Sequence, residues 1–193
     1  WCVDQGHTVF VISWVNPDER QSEKTFESYV LEGIIAALDA IEKQTGEKQV
    51  NAAGYCLGGT LLATTLAYLA GKKQADRIAS ATFFTTMTDF SEPGELGVFI
   101  DETQISSLEK KMFERGYLDG AEMALTFRLL RANPLIWHYV VHGWLYGERP
   151  PAHDILYWNM DTTRMPYRMH EFYLTEMYLK NNLIRPGALT IAG

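Results

Sequence analysis

The stretch from Gly54 to Gly59, with the sequence GYCLGG, constrains the fold more than any other part of this chain. A short apolar run ends just before it, and a long apolar run at residues 60–70 follows it. This order predicts a strand, a tight turn and a helix. Such a turn pushes its central side chain up at the edge of a sheet, and the crowding on either side favours glycine. The sequence therefore predicts that Cys56 occupies the tip of a strand-to-helix turn.

Cys56 is predicted to be a catalytic nucleophile. The turn puts it beside the first free N–H groups of the following helix, and the positive end of a helix favours both a thiolate and a developing oxyanion. The alternative is a small buried structural cysteine, because free cysteine is among the most buried residue types. The strand before the motif and the helix after it favour the nucleophile.

Composition and charge exclude several classes of function. The 193 residues are 47% hydrophobic and 21% charged, which is typical of a globular domain, and the net charge is −7 without any basic run. Nucleic acids and acidic membranes require clustered Lys and Arg, so neither is an expected partner. Two cysteines are too few for a disulfide framework, and no apolar run reaches the roughly 18 residues of a membrane span. We expect a soluble cytoplasmic protein without a transmembrane segment.

The ends of the chain suggest a longer protein. The sequence begins with Trp1 rather than Met and stops at Gly193, just after an apolar run. No signal-peptide pattern precedes the first predicted strand. We expect the chain to be an internal fragment.

Residues 1–90 have the pattern of an α/β core. Thr8–Trp14 is a continuous β-branched and aromatic run, typical of a strand buried on both faces. Residues 22–44 carry apolar side chains at spacings of three and four, which predicts an amphipathic helix. Strands are predicted at 50–55 and 78–86 around the helix at 60–70. The β-α-β-α-β order predicts a parallel sheet covered by helices.

Residues 91–186 have a different pattern, which predicts a helical cap insertion. Helical periodicity is found in four stretches, namely 106–115, 121–132, 135–146 and 167–180. Aromatic residues are concentrated in this insertion. Residues 187–193 are predicted to return toward the core sheet.

Together these patterns predict a partial α/β-hydrolase fold with a cap over the site. In that fold the nucleophile is followed by an acid and then a histidine, but no Asp, Glu or His follows residue 187. Asp89 is a candidate acid, although a turn cap is favoured because Asp-Phe-Ser is turn-prone. His138 and His142 share a helix face, yet they lack the glutamate of a zinc-protease motif, so no metal site is predicted.

A cysteine nucleophile favours thioester chemistry. A thiolate that attacks a thioester forms another thioester, so the exchange is nearly balanced and the acyl-enzyme stays reactive. Attack on an ester is less balanced, because it makes a higher-energy thioester. An apolar, aromatic cap could keep water from the intermediate. The residues thus favour acyl transfer from a thioester over ester hydrolysis.

Four segments make the chain resemble the polyhydroxyalkanoate synthases of class I type. They are GYCLGG at 54–59, SWVNPD at 13–18, ANPLIW at 132–137 and WNMDTTRMP at 158–166. They span nearly the whole chain. The first alone resembles a lipase box with Cys in place of Ser, and all four in this order are specific.

The resemblance implies polymerisation of (R)-3-hydroxyacyl-CoA with release of CoA, at the surface of cytoplasmic polyester granules. No cofactor is implied beyond the CoA thioester substrate. Cys56 matches the family's nucleophile, the backbone N–H of Leu57 matches the oxyanion donor, and Gly54, Gly58 and Gly59 match the elbow glycines. The family's catalytic Asp and His lie outside this chain, so we expect the fragment to be inactive.

The same resemblance places Trp158 in a cap that takes part in gating and in contact between the subunits of a homodimer. A core-filling role for Trp158 is the alternative. Two other functions stay open. One is an α/β-hydrolase esterase or thioesterase with a Cys nucleophile, and the other is a non-catalytic module that binds a partner or granule through its aromatic insertion.

Overall fold

The structure is a computed structural model that describes residues 1–149, 152 and 154–193. The chain divides into two compact units, each of which is described by itself. Unit 1 comprises Trp1–Trp14, Lys24–Glu92 and Arg168–Gly193, and unit 2 comprises Val15–Glu23 and Pro93–Tyr167. The predicted domain boundaries after residues 90 and 186 remain predictions.

Unit 1 contains a parallel βαβ unit. Strand β1 (Val50–Tyr55) pairs in parallel with β2 (Ile78–Phe84), and helix α3 (Leu57–Gly71) connects them. Neighbouring parallel strands need such a crossover, because the end of the first strand and the start of the second lie at opposite edges of the sheet. The structure confirms both predicted strands, the helix between them and the parallel direction of the pairing.

The predicted helix at 22–44 is also confirmed, in three consecutive segments. These are α1 (Phe26–Ser28), a π-helical turn (Tyr29–Ile35) and α2 (Ala36–Thr45). The Thr25 side chain accepts a hydrogen bond from the Ser28 N–H and caps the first turn. Gly46 ends α2 with a left-handed φ of 79°, a conformation that glycine adopts without strain.

The core of unit 1 forms where these helices pack on the sheet. Leu38 of α2, Leu62 and Leu69 of α3 and Ile78 of β2 are buried in one cluster. Each buried aliphatic side chain contributes about 1.5–3 kcal/mol, so this cluster is a main source of stability for the βαβ unit. It fixes the position of α3 and therefore of the turn at its N-terminus.

The predicted strand at Thr8–Trp14 is wrong. The structure has no regular secondary structure over these residues, and Val9, Phe10, Val11 and Ile12 are 40–85% exposed. Within the described residues the sheet consists of β1 and β2 alone. A β-branched run becomes a strand only where a neighbouring strand satisfies its backbone groups, and this run has no such neighbour in the structure.

Unit 2 is helical, as predicted for the cap. Its longest helices are α4 (Glu102–Arg115) and α5 (Gly120–Leu130), which confirm two of the predicted stretches. Two π-helical segments (Asn133–Trp137 and Val140–Leu145) follow where a helix was predicted at 135–146, and α6 (Asp154–Met160) comes after them.

Two of the segments by which the chain resembles the polyhydroxyalkanoate synthases, 13–18 and 158–166, are linked within unit 2 by Asn16. The Asn16 Oδ1 accepts hydrogen bonds from the Arg164 backbone N–H (2.9 Å) and from its Nε (3.2 Å). Asn16 Nδ2 donates to the Thr162 carbonyl at 3.3 Å. The Arg164 guanidinium also lies 4.2 Å from the centroid of the Tyr117 ring. One asparagine side chain thus ties two distant parts of the sequence together.

The C-terminal part of the chain starts with α7 (Tyr167–Phe172) and a π-helical segment (Tyr173–Leu179), which confirm the helix predicted at 167–180. Near the end, the Ala192 N–H donates to a Glu27 carboxylate oxygen at 2.7 Å, and the Lys72 ammonium donates to the Ala192 carbonyl at 2.9 Å. Among the described residues, no helix combines the length and the apolar character that crossing a bilayer requires.

Candidate active site

Cys56 occupies the junction between β1 and α3, as the sequence predicted. Its backbone adopts φ 52° and ψ −123°, which is a conformation that non-glycine residues rarely adopt. Its N–H donates to the Phe84 carbonyl at 2.9 Å, so the pairing of the two strands continues up to the turn. The residue is exposed. The turn therefore holds a free thiol at the sheet edge, in a strained and fixed backbone.

Two of the three elbow glycines are required by close packing. A Cβ atom on Gly54 would lie 2.5 Å from the Gly59 Cα, and a Cβ atom on Gly59 would collide with the Thr86 side chain. Gly58 differs, because a Cβ atom there would meet nothing within 4 Å. Crowding therefore explains Gly54 and Gly59, and the sequence-based explanation is wrong for Gly58.

The start of α3 presents backbone donors beside the thiol. The N–H groups of Gly59 and Thr60 donate to the Cys56 carbonyl at 2.9 and 3.2 Å. The first N–H groups of an α-helix have no partner within the helix, so those of Leu57 and Gly58 are the donors that α3 itself does not use. Both belong to the positive end of the helix, where negative charge is stabilised. This geometry is suited to holding an oxyanion.

The loop after β2 packs against the same turn. The Thr60 hydroxyl donates to the Met87 carbonyl at 2.7 Å. Asp89 accepts hydrogen bonds from the Ser91 N–H (3.0 Å) and from the Asn181 side chain (2.8 Å), and these bonds hold the pKa of Asp89 below its ordinary value. Asp89 is therefore a turn cap, which was the favoured prediction for it.

An aromatic cluster lies next to the turn in unit 1. The Tyr173 ring centroid is 5.2 Å from that of Tyr178 and 5.9 Å from that of Phe90, in edge-to-face contacts. Burial raises the pKa of Tyr173 far above its ordinary value, and neighbouring charge on Tyr178 and Cys56 adds to the effect. Burial likewise raises the pKa of Tyr178, with a contribution from Cys56. Both phenols are therefore neutral hydrogen-bond donors near the thiol.

No base is paired with the thiol in the part of the chain that the structure describes. There, neither a histidine nor a carboxylate side chain is hydrogen-bonded to Cys56. His170 is 3% exposed, and burial lowers its pKa to about 4. His7 is exposed, and His153 lies outside the described residues. The chemistry of the site thus consists of a thiol, backbone donors and two phenols.

The other histidines form a pair in unit 2. The rings of His138 and His142 are 4.3 Å apart, and the His142 Nδ1 lies 2.6 Å from a Glu148 carboxylate oxygen. Within the described ranges, no group of three His, Cys, Asp or Glu side chains is arranged to hold a metal ion.

Trp158, predicted to contribute to the cap or to an interface, lies in α6 and is 72% exposed. This exposure rules out the core-filling role within the chain. The interface role remains a prediction.

Sequence reasoning missed Tyr173 and Tyr178 as parts of the site. Their segment was recognised as helical and aromatic-rich, but nothing in that pattern indicated which aromatic residues approach Cys56. The two are five residues apart in a π-helical segment, whose i→i+5 hydrogen bonds bring such residues to one side. The π-helical geometry explains why the two lie on one side of the segment, but no local sequence pattern indicates that this side lies near Cys56.

The chain is similar in sequence to known poly(3-hydroxyalkanoate) polymerases. It is 58% identical to the poly(3-hydroxyalkanoate) polymerase of Methylorubrum extorquens over 185 residues, which is 96% of this chain and 30% of that protein. It is 56% identical to the polymerase subunit PhaC of Rhizobium etli (95% of this chain, 29% of that protein) and 39% identical to that of Cupriavidus necator (99% and 33%). These relatives confirm the resemblance to polyhydroxyalkanoate synthases. The chain spans about 30% of their length.

The family is established by a match over almost the whole chain. A model of the α/β-hydrolase fold matches residues 2–175. The match agrees with the parallel β1–β2 pair and with α3 between the strands. The chain belongs to the α/β-hydrolase fold family.

Proposed function

We propose that the whole protein carrying this chain polymerises (R)-3-hydroxyacyl-CoA into a polyester with release of CoA. The observation that carries the proposal is an exposed cysteine in a strained strand-to-helix turn, within a chain that is 55–58% identical to poly(3-hydroxyalkanoate) polymerases. Serine is the usual nucleophile of this turn. A thiol is the nucleophile expected where the acyl donor is a thioester.

In the proposed reaction, the Cys56 sulfur attacks the carbonyl carbon of the acyl-CoA. The bond between this carbon and the CoA sulfur breaks, and the thiol proton leaves with CoA. The N–H groups of Leu57 and Gly58 stabilise the oxyanion that forms on the way. In the next step the hydroxyl of another acyl group attacks the Cys56 thioester, so that an ester forms and the thiol is regenerated.

The base that activates these attacks is expected outside the 193 residues, because the family resemblance assigns the catalytic Asp and His there. His170 does not fit the role, since it is buried and its pKa is about 4. We therefore propose that the 193-residue chain by itself does not turn over substrate. Turnover of 3-hydroxybutyryl-CoA by the purified chain would refute this.

The test of the main proposal measures CoA release from 3-hydroxybutyryl-CoA by the whole protein. We expect Cys56→Ala to reduce the rate by about 1,000-fold or more, because the substitution removes the nucleophile. Cys2→Ala is the matched control, because Cys2 is the other exposed cysteine of the chain. An unchanged rate in Cys56→Ala sinks the proposal.

The product distinguishes the polymerase from an esterase or thioesterase, which the same turn would also support. A polymerase yields polyester that is insoluble in water, whereas a thioesterase yields free 3-hydroxybutyrate. Stoichiometric free acid as the product would select the thioesterase.

We further propose that the whole protein acts as a homodimer in the cytoplasm, at the surface of the polyester it makes, and that the exposed Trp158 contributes to the contact between subunits. The exposure of the indole supports this. Trp158→Ala should weaken dimerisation in sedimentation experiments at least tenfold. Tyr157→Ala is the control, because the neighbouring Tyr157 is also largely exposed. Equal effects of the two substitutions would count against a specific role of Trp158.

A further inference from the structure

The hydroxyl groups of Tyr173 and Tyr178 form a phenol pair that the proposed reaction has not used. Their rings meet edge to face at 5.2 Å, and each also contacts Phe90 edge to face, at 5.9 Å from Tyr173 and 4.8 Å from Tyr178. Phe26 stacks on Tyr173, with the ring centroids 6.5 Å apart. The pair is therefore held by aromatic contacts on several sides, which fix the rings in position.

The cluster is anchored to the nucleophile turn by the surrounding backbone. The Phe90 N–H donates to the Asn181 Oδ1 at 2.9 Å, which ties the loop after β2 to the end of the Tyr173–Leu179 segment. Thr60, in the first turn of α3, interacts with Tyr173 and donates its hydroxyl proton to the Met87 carbonyl. The phenol pair is thus connected both to the helix that starts at Cys56 and to the loop beside it.

Both phenols contact Phe90 in the loop after β2, and the Phe84 carbonyl at the end of β2 accepts the Cys56 N–H at 2.9 Å. A charge on the Cys56 sulfur adds to the raised pKa of both phenols. Burial acts in the same direction, so both hydroxyl groups keep their protons at neutral pH. The neutral phenol of Tyr178 is thus a hydrogen-bond donor beside the rings of Phe90 and Tyr173. Such a site favours a ligand that has an alkyl chain and one hydroxyl or carbonyl group at a fixed position.

This further step rests on the proposed function. An acyl group on the Cys56 sulfur carries its hydroxyl on the third carbon, only a few bonds from the thioester carbonyl. The rest of a short acyl chain is apolar. We propose that Tyr178 binds the 3-hydroxyl of the acyl group on Cys56, and that Tyr173 is the positioning residue that holds the Tyr178 hydroxyl in place.

Exposure assigns the two roles. Tyr173 is 8% exposed and packs among three aromatic rings, so its hydroxyl is enclosed by protein. Tyr178 is partly exposed, so that a ligand can reach it. A site that hydrogen-bonds a substrate hydroxyl discriminates strongly against the analogue without it, because the buried polar group is then left unpaired.

The experiment compares 3-hydroxybutyryl-CoA with butyryl-CoA, which lacks the hydroxyl group. The whole protein is mixed with each thioester, and the rate of the first turnover of CoA release is measured. We expect the unmodified protein to prefer the hydroxylated substrate at least tenfold in kcat/KM. Tyr178→Phe should reduce this preference about tenfold, because the rate with 3-hydroxybutyryl-CoA falls by more than the rate with butyryl-CoA.

Three further variants sharpen the result. Tyr173→Phe should raise the KM for 3-hydroxybutyryl-CoA with a smaller loss of preference, because the donor remains but is less well placed. Tyr178→His keeps an N–H donor and should retain part of the preference. Tyr68→Phe is the matched control, because Tyr68 lies about three helical turns away from Cys56 along α3 and its ring contacts Lys72. It should leave the preference unchanged.

The outcomes separate this inference from the proposed function. If CoA release persists in Cys56→Ala, the proposed function fails. If release depends on Cys56 but the unmodified protein shows no preference, or Tyr178→Phe keeps the preference, the inference fails alone. Circular dichroism reports whether each variant is folded, and a Tyr178→Phe protein that does not fold is replaced by Tyr178→Leu, which also lacks the donor.

Discussion

Gly54 and Gly59 approach each other so closely that a Cβ atom on Gly54 would lie 2.5 Å from the Gly59 Cα. The end of β1 and the first turn of α3 therefore touch through backbone atoms. This contact brings the sheet and the helix together on either side of Cys56. It explains why the turn can be so tight that its central residue is forced to a positive φ.

The contact predicts different effects for two alanine substitutions in the same motif. Gly54→Ala should lower the free energy of unfolding by about 1–3 kcal/mol or more, because backbone atoms must move to admit the methyl group. Gly58→Ala should be neutral or slightly stabilising, since its Cβ atom would meet nothing and alanine has the higher helix propensity. Urea unfolding monitored by circular dichroism measures both. Equal destabilisation would contradict the packing described here.

The backbone strain at Cys56 predicts that the nucleophile lowers the stability of the fold. At φ 52° a Cβ atom is unfavourable, and such strain costs on the order of 1–3 kcal/mol. The free energy of unfolding of Cys56→Gly should therefore be about 1 kcal/mol larger than that of Cys56→Ala. This difference is what remains after the larger conformational entropy that glycine gains on unfolding is subtracted. The same pair of substitutions at Cys2 is the control, and there the alanine variant should be at least as stable as the glycine variant.

The buried His170 predicts a specific loss of stability in acid. Its pKa is about 4 in the folded protein and 6.5 in the unfolded chain, so the folded state binds fewer protons between these values. Stability is therefore full above pH 6.5 and falls as the pH drops toward 4, by about 3 kcal/mol from this residue. The free energy of unfolding measured at several pH values tests this.

The comparison variants for the acid effect are His170→Phe and His7→Gln. The first removes the buried titrating group and should flatten the pH dependence between 6.5 and 4. The second changes an exposed histidine and should leave it unchanged. A pH dependence that survives in His170→Phe would assign the loss to other groups.

The hydrogen bonds of Asn16 predict a local effect in unit 2. Asn16→Ala removes the acceptor of the Arg164 N–H and should increase hydrogen exchange at that amide roughly fivefold or more, about 1 kcal/mol of protection. The Tyr167 N–H, which donates to the Gly116 carbonyl at 2.8 Å, is the internal reference. Asn16→Asp keeps an acceptor oxygen and should preserve the protection at Arg164. Faster exchange at both amides in Asn16→Ala would show that the whole segment has loosened.

Local sequence patterns predicted those elements whose stability depends mainly on neighbouring residues. The amphipathic helix at 22–44, β1, α3 and β2 all lie where periodicity placed them, and the turn at Cys56 has the predicted conformation. The run Thr8–Trp14 was predicted by the same reasoning and is not a strand, because a strand requires a partner that sequence periodicity cannot supply.

The sequence by itself determined that a cysteine stands at a strand-to-helix turn, since glycines, strand and helix lie next to one another in the chain. The tertiary structure alone decided which glycines are indispensable and which side chains surround the thiol. Gly54 meets Gly59 through the packing of a strand on a helix. Tyr173 and Tyr178 approach Cys56 from more than 100 residues away, on a π-helical turn. Contacts between such distant segments depend on the packing of the whole unit, and no local pattern encodes them.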